Sequence, residues 1–238
     1  EMPAERERIE ECLGGVLVHA VAGVDDGGID PVGEHPGGTL TAVVRGPEQA
    51  YLQLISAPPG ARNHWSDRIR ESPGPISLSI AVEDLDECRA ALLEAGFKPA
   101  AVGWGSRIAT DGQELVWRLC DVAPRPFDPE IPWLIQWITP ENTGPADGPV
   151  LRRVRVSLPD PTRCVAMLRA LGLPESSWTG GTSFVFGEQD DAQIEIVRGE
   201  VGIERVEFEV TDAAQAGEVT VDGLIVTKHP AAVDQKPE

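Results

Sequence analysis

Two glutamines sit inside apolar runs, Gln53 in "YLQLI" (51–55) and Gln136 in "PWLIQWI" (132–138). A primary amide carries two N–H donors and an oxygen with two lone pairs, so each strand must satisfy four hydrogen-bonding sites. An amide cannot act as a general base as a carboxylate can. The chemistry on offer is therefore recognition of a neutral polar group, or plain pairing with neighbouring backbone. Arg107 and Arg118 stand out in a chain this acidic. On the strand 114–120, Arg118 shares a face with Val116 and Cys120, opposite Leu115 and Trp117. Pointing into a cup, a guanidinium would hold a carboxylate, phosphate or enolate bidentately; pointing out, it makes a surface ion pair. Trp104, Trp117, Trp133 and Trp137 cluster in the same stretch, and Trp133 and Trp137 fall on the strand face opposite Gln136. They read as core packing or as a stacking wall for a flat ligand, with Trp117 the candidate contact. His35 lies in "GEHPGG", where Gly37 and Gly38 would let backbone approach a ligand. His64 reads as a surface residue and His229 as part of a tail.

The elements that must position these groups recur with a period. Residues 5–13 read as a short helix and 16–24 as a strand, and "DDGGIDPVGEHPGG" (25–38) is a loop by its turn formers. "TLTAVVRG" and "AYLQLISA" read as a hairpin, and "RNHWSDRIRES" as a short helix. "ISLSIAVED" is a strand whose Asp84 can cap the helix "LDECRAALLEAGF", which Gly96 stops. "KPAAVGW", "ELVWRLCDV" and "PWLIQWI" follow as strands. The block 76–138 is thus β-α-β-β-β. After a linker at 140–149 the pattern returns: "VLRRVRVSLPDP", the helix "TRCVAMLRALGL", then "TSFVFG" and "AQIEIVRG". "VGIERVEFEVTD" and "VTVDGLIVTKH" add two more strands. Residues 16–56 read as a first unit without its helix. The fold class expected is α+β, repeated βαβββ modules forming a curved, mostly antiparallel sheet around a concave pocket. Paired modules would fill 1–139, a third with extra strands 150–229, and 230–238 a flexible tail.

Composition bounds the partners. The chain has 238 residues, a formal charge of −19 and 41% hydrophobic residues. So acidic a surface repels phosphate backbones, which argues against nucleic acid. No apolar run reaches the roughly 18 residues of a membrane helix. The opening "EMPAERERIEECL" is a charged helix former rather than a signal peptide. Cys12, Cys88, Cys120 and Cys164 form no CxxC pair and read as reduced, mostly buried thiols, pointing to the cytoplasm.

The words "LVHAVAGVDD", "GEHPGGT", "YLQLI", "IAVEDLDECRAALLEAGF", "SRIATDGQELVWRL", "PWLIQW" and "LRRVRVSLPDPTRCVAMLRALGL" run in an order that resembles the glyoxalase-like domain family of the vicinal oxygen chelate superfamily. The resemblance implies paired βαβββ modules around a divalent metal or a substrate pocket. It does not fix a reaction, since relatives include lyases, isomerases, dioxygenases and drug-sequestering proteins. It implies metal ligands on the first and last strands of each module. Here those positions hold His19, Gln53, Gln136 and the serines Ser77 and Ser79. One imidazole and two amides bind a divalent ion weakly, so no conventional metal cofactor is expected, with weak binding at His19 left open. His19 (as base or ligand) and Arg118 (as anion clamp) are the catalytic candidates. His35, Gln53, Arg107, Trp117 and Gln136 are the substrate-binding candidates. Strand parity is taken to aim His19, Gln53, Arg118 and Gln136 into one cavity. The expected function is binding or transforming a small organic metabolite. A metal-dependent lyase, isomerase or dioxygenase of secondary metabolism and a degenerate protein-contact domain are the alternatives. The expected partner is a small molecule, not nucleic acid or membrane, with a homodimer left open.

Overall fold

A computed structural model describes residues 13–20, 33–34, 38–46, 50–71, 75–108, 112–123, 128–139, 146–186, 192–221 and 223–231. Outside them lie residues 5–12 of the expected helix 5–13, residues 21–24 of the expected strand 16–24, residues 25–32 and 35–37 of the expected loop 25–38 (with His35), and residues 232–238 of the expected tail. Leu13, expected to end that helix, opens a strand instead.

Eight strands close into a barrel: β1 (Leu13–Ala20), β2 (Gly33–Glu34), β3 (Leu40–Arg45), β4 (Tyr51–Ser56), β5 (Pro75–Val82), β6 (Gly103–Ile108), β7 (Glu114–Cys120) and β8 (Trp133–Trp137). Their order around the barrel is β1-β4-β3-β2-β6-β7-β8-β5. Each half is one unit of the repeat. Its first and last strands pair in parallel (β1 with β4, β5 with β8), and β1 and β5 join the halves antiparallel. β6 begins later than "KPAAVGW" suggests, with residues 97–102 irregular. Pro99 in that stretch has no N–H to give a ladder.

A second sheet has seven strands. They are β9 (Val150–Leu158), β10 (Glu175–Trp178), β11 (Gly181–Phe186), β12 (Ala192–Arg198), β13 (Gly202–Val210), β14 (Gly217–Val221) and β15 (Leu224–Pro230), ordered β10-β11-β12-β9-β13-β15-β14. "ESSW" has no apolar alternation, and all four residues of β10 are exposed. "VTVDGLIVTKH" is a hairpin rather than one strand, because Gly223 turns it at φ 85°. His229 therefore belongs to β15, not to a tail. The expected α+β class, mostly antiparallel, is what the chain adopts.

Among the described residues three α-helices accompany the sheets: α1 (His64–Glu71), α2 (Leu85–Glu94) and α3 (Thr162–Ala170). The Asp84 side chain accepts from the backbone N–H groups of Asp86 and Glu87 at 2.9 Å each, as its position before the apolar run requires. Gly96, at φ 85°, takes the left-handed turn that ends α2. Asp84→Ala should lower unfolding stability by about 1 kcal/mol, read from the urea midpoint. An unchanged midpoint would mean that the cap is idle.

One hydrophobic core spans the molecule. It joins Leu52, Leu78, Ile80 and Leu134 from the barrel's outer face to Leu85, Cys88 and Leu92 of α2. It continues through Cys164, Met167 and Leu168 of α3 to Val154, Phe184, Ile194 and Phe208 of the second sheet. A smaller core fills the barrel, with Val43, Tyr51, Ile55, Ala81, Trp133 and Ile135, closed on one side by Ile69 of α1. This explains the continuous apolar run of "YLQLI". The strand is buried on both faces, Tyr51, Gln53 and Ile55 inward and Leu52 outward, so strict alternation is lost. The other face of the second sheet is polar and carries ion pairs: Arg153 to Glu195 and Glu207, Arg155 to Glu195, Arg152 to Glu209 and Arg205 to Glu218.

Cys88, Cys120 and Cys164 are free and buried. Burial pushes the Cys164 thiol from its ordinary 9.0 up to about 12. Because the folded value is the raised one, this thiol favours folding fully below the unfolded value and loses that contribution as pH rises from about 9 towards 12. Iodoacetamide at pH 8 should leave Cys164 unmodified in the native protein and alkylate it in urea. Parent protein should lose more stability than Cys164→Ala between pH 8 and 10.5. Native labelling of Cys164 would contradict the burial.

Candidate functional site

Cross-strand register decides which candidates meet. His19 pairs with Gln53 on one side and with Ser77 on the other. Gln53 pairs in turn with Val43, and Ser79 with Trp133. Residues opposite one another in a sheet share a face, so Val43, Gln53, Ser77, Ser79 and Trp133 line one surface, the barrel interior. On β6–β8 that surface continues through Gly105, Trp117 and Trp137, and one row along through Arg107 and Leu115.

The interior is satisfied by neutral groups. Gln53, 6% exposed, donates through Nε2 to Thr41 Oγ1 at 3.1 Å. Trp133 Nε1 donates to Ser77 Oγ at 3.2 Å. Trp117 and Trp137 meet edge to face, ring centroids 5.2 Å apart at 61°. Both residues are half-buried, whereas Trp133 is buried. The Trp117 indole lies against Gly105, where a Cβ would fall 2.4 Å from its Nε1. The side chains of His19 and His64 lie outside the described residues, as does His35 altogether; His19 is placed only by its register.

Arg118 and Gln136 go the other way. They face each other across β7 and β8, on the outer surface that also presents Cys120 and Leu134 to α2. Arg118 Nη2 donates to both carboxylate oxygens of Asp86 at 2.9 Å, and its Nη1 donates to Gln136 Oε1 at 3.1 Å. Gln136 Nε2 donates to the Glu83 carbonyl. The Arg118 guanidinium also lies 5.9 Å from the ring centre of Trp104, which is 67% exposed. The expected convergence of His19, Gln53, Arg118 and Gln136 is thus overturned. Gln136 and Arg118 tie the outer sheet face to the start of α2, because α2 covers that face and supplies the matching carboxylate and carbonyl. Arg107, by contrast, shares the inward face with Trp117 and is half-buried. The interior contributors not singled out in the sequence are Thr41 and Gly105. The Gly-x-Gly of "GWGSR", glycine at both same-face positions, was the legible sign of room on one side of β6.

Among the described residues, the interior donor set does not fit a divalent cation. Gln53, Thr41 and Ser77 offer an amide and hydroxyls, and the inward Arg107 is itself a cation, so none of these neutralises an ion's charge. Among the described residues no three His, Cys, Asp or Glu side chains gather closely enough to hold one. Gln136→Glu should therefore add nothing: the melting shift caused by zinc should be the same for Gln53→Glu with Gln136→Glu as for Gln53→Glu alone. A larger shift in the double variant would mean that the two side chains reach one ion.

The comparisons agree with this architecture. A family model described as glyoxalase-like domain matches residues 12–172. The chain belongs to the glyoxalase-like domain family. Its module order and closed barrel place it in the vicinal oxygen chelate superfamily, as resemblance implied. Among solved structures, a hypothetical protein from Staphylococcus aureus superposes with a TM-score of 0.68 at 14% identity, covering 92% of this chain and 98% of its own. The Mn(II)-bound glyoxalase from Novosphingobium aromaticivorans gives a TM-score of 0.53 at 14% identity, covering 92% of this chain and 81% of its own. At such identities the likeness is one of fold. No curated protein matches the chain.

Proposed function

We propose that this glyoxalase-like protein binds a small, flat organic molecule at the partly exposed tryptophans of the barrel, without a carboxylate-based metal site. The observation that carries the reading is the composition of the inward face. Trp117 and Trp137 are half-buried on the inward face that also carries Gln53 bonded to Thr41, Ser77 bonded to Trp133, and Arg107. Indole faces stack on flat apolar ligands, and a few fixed polar groups orient them. The inner amide cannot abstract a proton. Binding, with or without a subsequent isomerase- or lyase-type step, is accordingly the reading we adopt. Three buried free thiols suit a reducing compartment, so we place the protein in the cytoplasm. No helix among the described residues is long and apolar enough to cross a membrane.

Titrating the purified protein calorimetrically with neutral arenes such as coumarin and 2-naphthol tests this, with cyclohexanol as the non-aromatic control. Saturable binding of the arenes, weakened by Trp117→Ala, is the expected result. Absence of heat with every arene, or elemental analysis giving close to one tightly held manganese, iron or zinc per chain, would overturn the reading.

A further inference from the structure

Within the barrel, hydrogen-bond accounting leaves one donor over. Gln53 Nε2 is taken by Thr41 and Trp133 Nε1 by Ser77. Trp137 Nε1 is buried and meets no acceptor, and among the described residues of the barrel it is the one side-chain nitrogen or oxygen in that condition. Buried N–H groups are nearly always paired, with protein, water or ligand. The two other orphaned atoms, Arg153 Nε and Ser157 Oγ, belong to the second sheet. Arg153 Nε has the Glu195 carboxylate at 3.2 Å, and Ser157 Oγ is roofed by Gly199. Neither faces the barrel.

The position of the orphan matters. Trp137 is inward on β8, in one row with Trp117 and Gly105. Its indole remains partly exposed although the nitrogen is covered, and the Trp117 ring stands edge to face with it. Gly105 lets Trp117 lie down against β6, since any side chain there would occupy the indole's own volume. Two aromatic side chains that are not fully buried and one unused, covered N–H are thereby held together on the inward face of the barrel.

Resting on the reading that the barrel takes a flat ligand, we propose that this ligand is an aromatic carbonyl compound whose oxygen accepts a hydrogen bond from Trp137 Nε1. Carbonyl oxygen suits the site because indole N–H donates and cannot accept. A ligand presenting only N–H donors or only hydrocarbon leaves the indole nitrogen unpaired.

Two isosteric probes isolate the bond. 2-Acetylnaphthalene carries the acceptor, and 2-isopropenylnaphthalene replaces C=O by C=CH2 with almost the same shape. In the parent protein the ketone should bind about tenfold tighter, the worth of one hydrogen bond to an otherwise unsatisfied donor. Trp137→Phe keeps the apolar body, deletes the donor and should bring the two affinities together. In ¹H–¹⁵N spectra the six tryptophans give six indole cross-peaks, and the peak lost in Trp137→Phe should move downfield with the ketone and not with the alkene. Equal affinity of the two probes for the parent protein would overturn the proposal while leaving the arene-binding reading intact. That comparison needs no variant, so it holds even if Trp137→Phe fails to fold. Discrimination that survives in Trp137→Phe would also overturn it, by locating the donor elsewhere. Failure of both probes to bind would remove the proposal together with the reading on which it stands.

Discussion

Gly105→Ala should unseat the Trp117 indole and cost about 1–3 kcal/mol of stability, the range for overpacking a filled interior. The new methyl would fall 2.4 Å from both Cε2 and Nε1 of Trp117 and 2.7 Å from Cζ2. Real carbon contacts do not come that close, so the ring must rotate or β6 must separate from β7. Either movement breaks the edge-to-face arrangement with Trp137. The near-UV circular dichroism of the tryptophans should change, the urea midpoint should fall, and arene binding should weaken. Gly103→Ala is the matched control. It sits on the same face of the same strand, but its Cβ would meet Leu119 Cδ1 at an ordinary 3.5 Å. It should therefore leave midpoint and spectrum within error. If both variants lose the same stability, the cause is the glycine-to-alanine change in the strand and not the Trp117 ring, and the packing argument fails.

Phe208→Ala should cost about 3–5 kcal/mol, the range for deleting a buried aromatic ring. Phe208, on β13, is 1% exposed and belongs to the core that joins both sheets. Its loss should lower the stability of the barrel as well as of its own sheet. We therefore expect a single unfolding transition at a lower urea midpoint, seen alike by tryptophan fluorescence, which reports mainly on the barrel, and by far-UV circular dichroism. Val219→Ala on β14, 50% exposed, should change the midpoint by no more than about 0.5 kcal/mol. Two separated transitions in Phe208→Ala, with the fluorescence midpoint unmoved, would show instead that the sheets fold independently. The boundary expected at 140–149 would then be a true domain junction.

Much of this molecule is legible in its sequence because it is local. Asp84 before an apolar period of three and four residues, with Gly96 behind it, specifies α2 by capping and by steric freedom at positive φ. The β3–β4 hairpin and the repeat of strand, helix and hairpin follow from alternation and turn formers. Even strand parity was readable. Arg118 does lie opposite Trp117, and Trp137 opposite Gln136, because successive side chains in a strand point to opposite faces whatever the fold. Which face is the inside is a different kind of fact. Gln53 and Gln136 occupy nearly identical words, apolar residues on both sides of an amide, yet one turns into the barrel and the other out. Each strand is buried on both faces, inward by closure of the barrel and outward by helix or second sheet. Hydrophobicity therefore does not mark the interior. Only closure of eight strands in one register, and the docking of α2 with Asp86 and the Glu83 carbonyl on the outer face, assigned Arg118 and Gln136 to a structural tie and left Trp117, Trp133 and Trp137 facing the barrel interior. Those contacts join residues far apart in the chain, so no local window of sequence contains them.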